Sequence, residues 1–259
     1  MSSLHVEIRG SGPDLVLLHG WALHGGMWGP WLDHLAAHRR LHVIDLPGHG
    51  HSAWPPAVTD LAGLAQAILP SLPRGAAVMG WSLGGMLALE LARLHPQHVG
   101  PLVLLATTPR FLAGSGWGHG LRPDVLDGFA RGLVDDYPRT VRNFLALQTL
   151  GDENATESLR LLRSKLATHG EPDRRALETG LQILRDADLR DGLPRIAQPA
   201  LVIAGEYDRL TPPEAGRELA RTLPAARFSL VERAGHAPFL ARADDVLAEV
   251  LPFLGRGQR

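Results

Sequence analysis

The sequence predicts an α/β protein: a mostly parallel, doubly wound sheet carrying an inserted helical lid. Three observations point there. Short, almost wholly apolar runs alternate with helix-like stretches as far as residue 110, and a strand apolar on both faces is covered on both faces. From Phe111 to Leu189 only helical periodicity appears. Strand and helix signals then return. Residues 1–110 and 190–259 are therefore expected to form the core, and 111–189 the lid.

In chain order, Leu4–Ile8 and Leu15–Leu18 are strands separated by the turn-rich Gly10-Ser11-Gly12-Pro13-Asp14. Trp31–His38 is helical, and Leu41–Asp45 is a strand closed by Pro47-Gly48. Leu61–Leu69 is a helix stopped by Pro70-Ser71-Leu72-Pro73. Ala76–Met79 is a strand, Leu83–His95 a helix ending near Pro96, and Leu102–Ala106 a strand. The lid helices are Val125–Val134, Thr140–Leu150, Ala155–Leu166 and Arg174–Asp186. Ala200–Ala204 and Phe228–Val231 complete the strands, with helices at Pro213–Thr222 and near Asp244–Leu254.

Composition narrows the function. The 259 residues are 45% hydrophobic and carry a formal net charge of −1, which excludes dominant disorder. The same balance argues against nucleic-acid binding, which calls for a basic surplus or stripe. The absence of cysteine rules out disulfides, a thiol nucleophile and thiolate metal sites. No apolar run is long enough to span a bilayer, and Met1–Pro30 contains no secretory signal pattern, so a cytoplasmic location is expected. Lys165 is the only lysine, so arginine number reflects genome composition and only placement is informative.

Gly80-Trp81-Ser82-Leu83-Gly84 matches G-x-S-x-G directly after a strand and at the start of a helix. The chemistry calls for a sharp turn that thrusts the serine beyond the sheet, and two residues without Cβ atoms let strand and helix approach around it. The helix N-terminus favours negative charge developing beside Ser82. A serine needs a base. Of thirteen histidines, His34, His38, His95, His98 and His169 fall on helices or at their ends, where surface positions are expected. His236 lies in Ala234-Gly235-His236-Ala237-Pro238-Phe239, just after the last strand. Asp208, in the turn after Ala200–Ala204, is the favoured acid over Glu206, Asp186 and Asp188, giving the order Ser82, Asp208, His236. The N–H groups of Trp21 and Leu83 are the candidate oxyanion donors, with the His19 imidazole bracing the Trp21 loop. His49 and His51 share a loop without a carboxylate cluster, so no metal is expected and no cofactor is called for.

With LVLLHGW, VIDLPGHGHS, GWSLGG, LVIAGEYDRLTPP and AGHAPF in place, the chain resembles the α/β-hydrolase superfamily over essentially its whole length. That fold also serves esterases, haloperoxidases, C–C bond hydrolases and lactonases. HGWALHGGMW, GWSLGGMLALELA, PDVLDGF, RTVRNFLALQTLG and GLQILRDADLR are similar to the BioH group, pimeloyl-acyl-carrier-protein methyl ester carboxylesterases of biotin synthesis. The resemblance implies a Ser82–His236–Asp208 triad. It also implies a substrate site formed by Trp21, Ser82, Leu83, His236 and the segment Phe144, Leu145, Ala146, Leu147 and Gln148. The implied partner is acyl carrier protein. Arginines suit an acidic carrier, and Arg139 with Arg142, and Arg160 with Arg163, are spaced three apart on or beside two successive lid helices. Asn143 and Thr156 stand where the family pattern has further basic residues. A monomer is expected. Competing readings are a carboxylesterase for small soluble esters, a C–C bond hydrolase, and a non-catalytic binding protein of the same fold.

Overall fold

A computed structural model describes residues 4–55, 57–166 and 168–256. Seven strands form one sheet: β1 (Val6–Arg9), β2 (Asp14–Leu18), β3 (Arg40–Ile44), β4 (Ala76–Trp81), β5 (Val99–Leu105), β6 (Ala200–Gly205) and β7 (Ala226–Val231). Their order is β1-β3-β2-β4-β5-β6-β7, with β1 antiparallel to β3 and every other pair parallel. Strand alternation divides the core cleanly. Val16, Leu18, Val78, Leu102 and Leu104 pack into one apolar layer, while Leu15, Leu17, Met79, Val103 and Leu105 pack into the other. That is why these runs carry no polar face.

The first helices are α1 (Trp31–Ala36), α2 (Leu61–Ile68) and α3 (Leu83–Leu94). Next come the lid helices α4 (Pro123–Asp135), α5 (Tyr137–Gln148), α6 (Ala155–Leu166) and α7 (Arg174–Asp186). They are followed by α8 (Pro213–Thr222), the single turn α9 (Pro238–Ala241) and α10 (Ala243–Arg256). Among the described residues, no helix is long and apolar enough to cross a membrane. α5 starts three residues before the helix periodicity does, because Asp136 caps it by accepting the Arg139 N–H.

The lid helices lie between β5 and β6. The chain leaves at Arg110 and returns at Asp188, which face each other in a β-bridge and join their side chains at 3.0 Å. Leu126, Phe144, Leu177 and Leu181 enter the first apolar layer, and the fully buried Leu145 and Leu162 enter the second. The helical block is thus anchored in both halves of the core.

Candidate active site

Ser82 sits between β4 and α3 with φ 56° and ψ −118°, a conformation costing about 1–3 kcal/mol for a residue with a Cβ. Its surroundings enforce that conformation. Its N–H donates to the Leu105 carbonyl at 2.9 Å, and its own carbonyl accepts from Thr107 Oγ1 at 2.7 Å and from the Gly85 N–H at 2.9 Å. A Cβ on Gly80 would overlap the Gly84 carbonyl, and one on Gly84 would overlap the Leu18 carbonyl. Both glycines are therefore required by contact.

His236 is 1% exposed, and its Nδ1–H donates to Asp208 Oδ2 at 2.8 Å. Asp208 is held by three further donors: the Leu210 and Thr211 N–H groups on Oδ1, at 2.8 and 2.9 Å, and the Thr211 hydroxyl on Oδ2 at 2.7 Å. The rival acids are engaged elsewhere. Glu206 accepts the Arg233 N–H, Asp186 accepts from the Gln182 side chain, and Asp188 pairs with Arg110 and Arg190. The buried His236 Nε2 has no hydrogen-bond partner among the described residues, so Ser82 is not bonded to the imidazole in this resting arrangement. A catalytic hydrogen bond that tightens only on substrate binding is common in unliganded enzymes.

The turn after β2 lies against the nucleophile: a Cβ on Gly20 would sit 3.4 Å from that of Ser82. Trp21 follows in that turn and shares the first apolar layer with Leu83, the first residue of α3, whose N–H belongs to the set a helix leaves without an internal partner. His19 is fully buried; its Nδ1 donates to the Gly20 carbonyl at 2.8 Å and its Nε2 accepts the Leu46 N–H at 2.9 Å. Burial, aided by the nearby His49, pushes its pKa down to about 3, so it stays a neutral brace.

Helices α5 and α7 pack against Trp21. Its indole N–H donates to the Leu177 carbonyl at 3.0 Å, and Phe144 meets its ring edge-on at 4.9 Å. Gln148, one turn beyond Phe144, is buried and lends its carbonyl to the His236 N–H at 2.9 Å. The intervening residues divide: Leu145 is buried in the opposite apolar layer, and Ala146 and Leu147 line a groove between α4 and α5, Leu147 also packing on the first layer. Five consecutive helical residues sweep more than a full turn, so the segment cannot face one site as a block. Phe144 contacts Trp21 and Gln148 contacts His236, while Leu147, three residues after Phe144, also packs on the apolar layer that holds Trp21.

Arg139, Arg142, Arg160 and Arg163 are all exposed, and among the described residues none has an ion-pair partner. Nearby lid arginines do: Arg122 pairs with Asp124, and Arg185 with Asp127. His169, expected at the surface, is half-buried and stacks on His24 at 4.0 Å because the turn after α6 folds back onto the core. Sequence reasoning passed over two further tethers of the His236 loop: the Trp81 indole N–H on the His236 carbonyl at 2.7 Å, and the Asp152 carboxyl on the Gly235 N–H.

A strained serine at a strand–helix junction, joined through Trp81 to a buried imidazole–carboxylate pair, is the arrangement of a candidate hydrolase site. The chain belongs to the alpha/beta hydrolase fold family, whose profile matches residues 13–243. It is 45% identical over 248 residues to the pimeloyl-[acyl-carrier protein] methyl ester esterase of Xanthomonas campestris pv. campestris (strain B100), covering 96% of this chain and 97% of that one. It is 43% identical over 251 residues to the same-named protein of Stenotrophomonas maltophilia (strain K279a), covering 97% and 96%. Among solved structures, the Exiguobacterium antarcticum esterase shares the fold at a TM-score of 0.89 and 24% identity, covering 98% of this chain and 96% of that one. The chain is accordingly a carboxylic ester hydrolase by family.

Proposed function

We propose that this protein hydrolyses the methyl ester of pimeloyl-acyl-carrier protein, releasing methanol and leaving the free carboxylate on the carrier, as a step of biotin synthesis. Ser82 is the nucleophile, His236 the base, and Asp208 the group that fixes the imidazole tautomer and stabilises the imidazolium. Ser82 Oγ attacks the ester carbonyl as its proton passes to His236 Nε2. The tetrahedral oxyanion is held by the N–H groups of Trp21, in the turn after β2, and Leu83, at the start of α3. Collapse expels methanol, protonated by His236, and water then cleaves the acyl-enzyme by the same path. All of these groups come from one chain, which is consistent with a working monomer.

One observation carries the reading: His236 Nδ1 lies 2.8 Å from Asp208, and the His236 carbonyl is held by the indole of Trp81, the residue before the positive-φ Ser82. The names of the relatives supply the substrate. The lid, residues 111–189, acts as the specificity unit. The acyl chain passes beneath it along Trp21 and Phe144, while the thioester stays outside with the carrier. The four arginines, unpaired among the described residues, favour an acidic carrier over a small free ester. A carrier-linked substrate favours a cytoplasmic location.

The test is methanol release from the carrier-linked methyl ester. The unaltered protein should release methanol and leave the thioester intact, and Ser82→Ala should abolish release while still binding the carrier. Near-native release by Ser82→Ala would remove the nucleophile, and equally fast loss of pimelate from the carrier would overturn the geometry.

A further inference from the structure

Beside the His236 loop, in a turn whose Gly151 packs against Tyr207, lies a second carboxyl that the mechanism above does not use. Asp152 follows α5 in the turn Thr149–Asp152, whose ends are joined by the Asp152 N–H on the Thr149 carbonyl at 3.1 Å. It is only 7% exposed. One oxygen accepts the Gly235 N–H, and the other is buried without a partner among the described residues. A buried carboxylate oxygen with nothing to bond is costly, so such a group is usually replaced unless its charge or its grip is used.

The surroundings show what it grips. Gly235 and His236 are consecutive, and both of their N–H groups are taken by the end of the lid: Gly235 by the Asp152 side chain and His236 by the Gln148 carbonyl. A Cβ on Gly235 would come within 3.0 Å of the Asp152 carboxyl and of the Leu150 carbonyl, so the two segments touch at backbone distance. One residue further, the Glu153 N–H donates to the Arg233 carbonyl at 3.0 Å, and the Glu153 carboxylate bridges Arg233 and Arg242. Asp152 thus sits at the centre of a seam that stitches lid to histidine loop.

We propose that Asp152 is a positioning residue for His236: it holds the loop through Gly235 and places a second negative charge behind the imidazolium, a role that rests on His236 acting as the base. The charged and titratable groups around it are His236 and Asp208 from the core, Glu153 paired with Arg233 and Arg242, and Glu206 on the Arg233 N–H. Burial pushes the Asp152 pKa up to about 6, with Asp208 adding to the rise while the Gly235 bond and His236 oppose it. The carboxyl is therefore ionised at neutral pH, where the base must accept a proton. A nearby negative charge favours the protonated imidazole, so removing it should extend activity to lower pH.

Two variants separate grip from charge. Asp152→Asn keeps an oxygen for the Gly235 N–H and loses the charge, whereas Asp152→Ala loses both. With p-nitrophenyl acetate as probe, the acid limb of the kcat/KM profile should move to lower pH in both variants. In Asp152→Ala, kcat should also fall roughly tenfold with KM little changed, the pattern of a mispositioned base. An unmoved acid limb in Asp152→Asn, or an unchanged kcat in Asp152→Ala, overturns the role whatever happens to the melting temperature. Should Asp152→Ala not fold, the Gly235 amide proton of the unaltered protein gives the answer by NMR. It should titrate with the carboxyl it binds, and a flat response between pH 4.5 and 8 overturns the role. Ser82→Ala, run alongside, separates the two failures: if it stays active the triad itself is wrong, and if it is dead while the Asp152 variants behave as the unaltered protein, only the role of Asp152 fails.

Discussion

The indole N–H of Trp81 donates to the carbonyl of His236 at 2.7 Å, tying the residue before the nucleophile to the residue that activates it. The two are 155 positions apart, and Trp81 is fully buried among Trp28 and Phe239. The bond sets the spacing between the strand end that presents Ser82 and the loop that presents His236.

Trp81→Phe tests that spacing. The ring keeps most of its packing, while the His236 carbonyl loses its donor in a dry site, which costs about 1–3 kcal/mol. Chemical denaturation should show a loss of that size, and kcat on a small ester should fall roughly tenfold as the base drifts.

Two glycines should respond with opposite signs. Gly84→Ala puts a methyl group into the Leu18 carbonyl and should destabilise the fold by about 3 kcal/mol or more, with activity lost alongside. Gly128→Ala, at an exposed position inside α4 with open space around it, should stabilise by about 0.5–1 kcal/mol. Urea unfolding midpoints read both.

Stability should fall on acidification below pH 6.5. In the folded protein, burial holds His19 at about 3, and burial with the stacked His169 holds His24 at about 4. The unfolded chain takes up those protons from pH 6.5 downward while the folded chain does not, so each histidine removes up to about 1.4 kcal/mol per pH unit. Asp152 acts with the opposite sign: its raised pKa makes the folded state relatively more stable below pH 6, but over a narrower window. The net expectation is a urea midpoint that declines from pH 6.5 to 4.5. His24→Asn, which can keep the bond from the Gly26 N–H, should flatten that decline.

Charge reversal at Arg139 and Arg160 separates carrier recognition from chemistry. Both side chains are exposed and unpaired among the described residues, so their loss should leave the fold intact. KM for the carrier-linked ester should rise about tenfold or more, worth ~1.4 kcal/mol, with kinetics on a small methyl ester unchanged. Equal effects on both substrates would point to a small-ester enzyme.

Much of this architecture is legible in the sequence because the strands are apolar on both faces. Leu15–Leu18, Leu102–Ala106 and Ala200–Ala204 can only be covered strands. Ser82 is legible through its flanking glycines, and Asp208 and His236 through their positions after successive strands. β5 begins earlier than its apolar run, at Val99, because Gly100 and Pro101 sit where the register to β4 shifts. The tethers of the His236 loop leave no local trace: Asp152 follows a helix like any turn aspartate, and its partner lies 83 residues away. The segment Phe144–Gln148 reads as one block by resemblance, while helix geometry divides it among three environments.

The seam between Gln148–Glu153 and Arg233–His236 makes this helical block a poor cassette for exchange. An engineer grafting in another relative's block to alter substrate preference would also discard the brackets that seat the general base. Chimeras should therefore be cut after Glu153 rather than at the block's outer borders, so that new specificity can be installed without unmooring the imidazole.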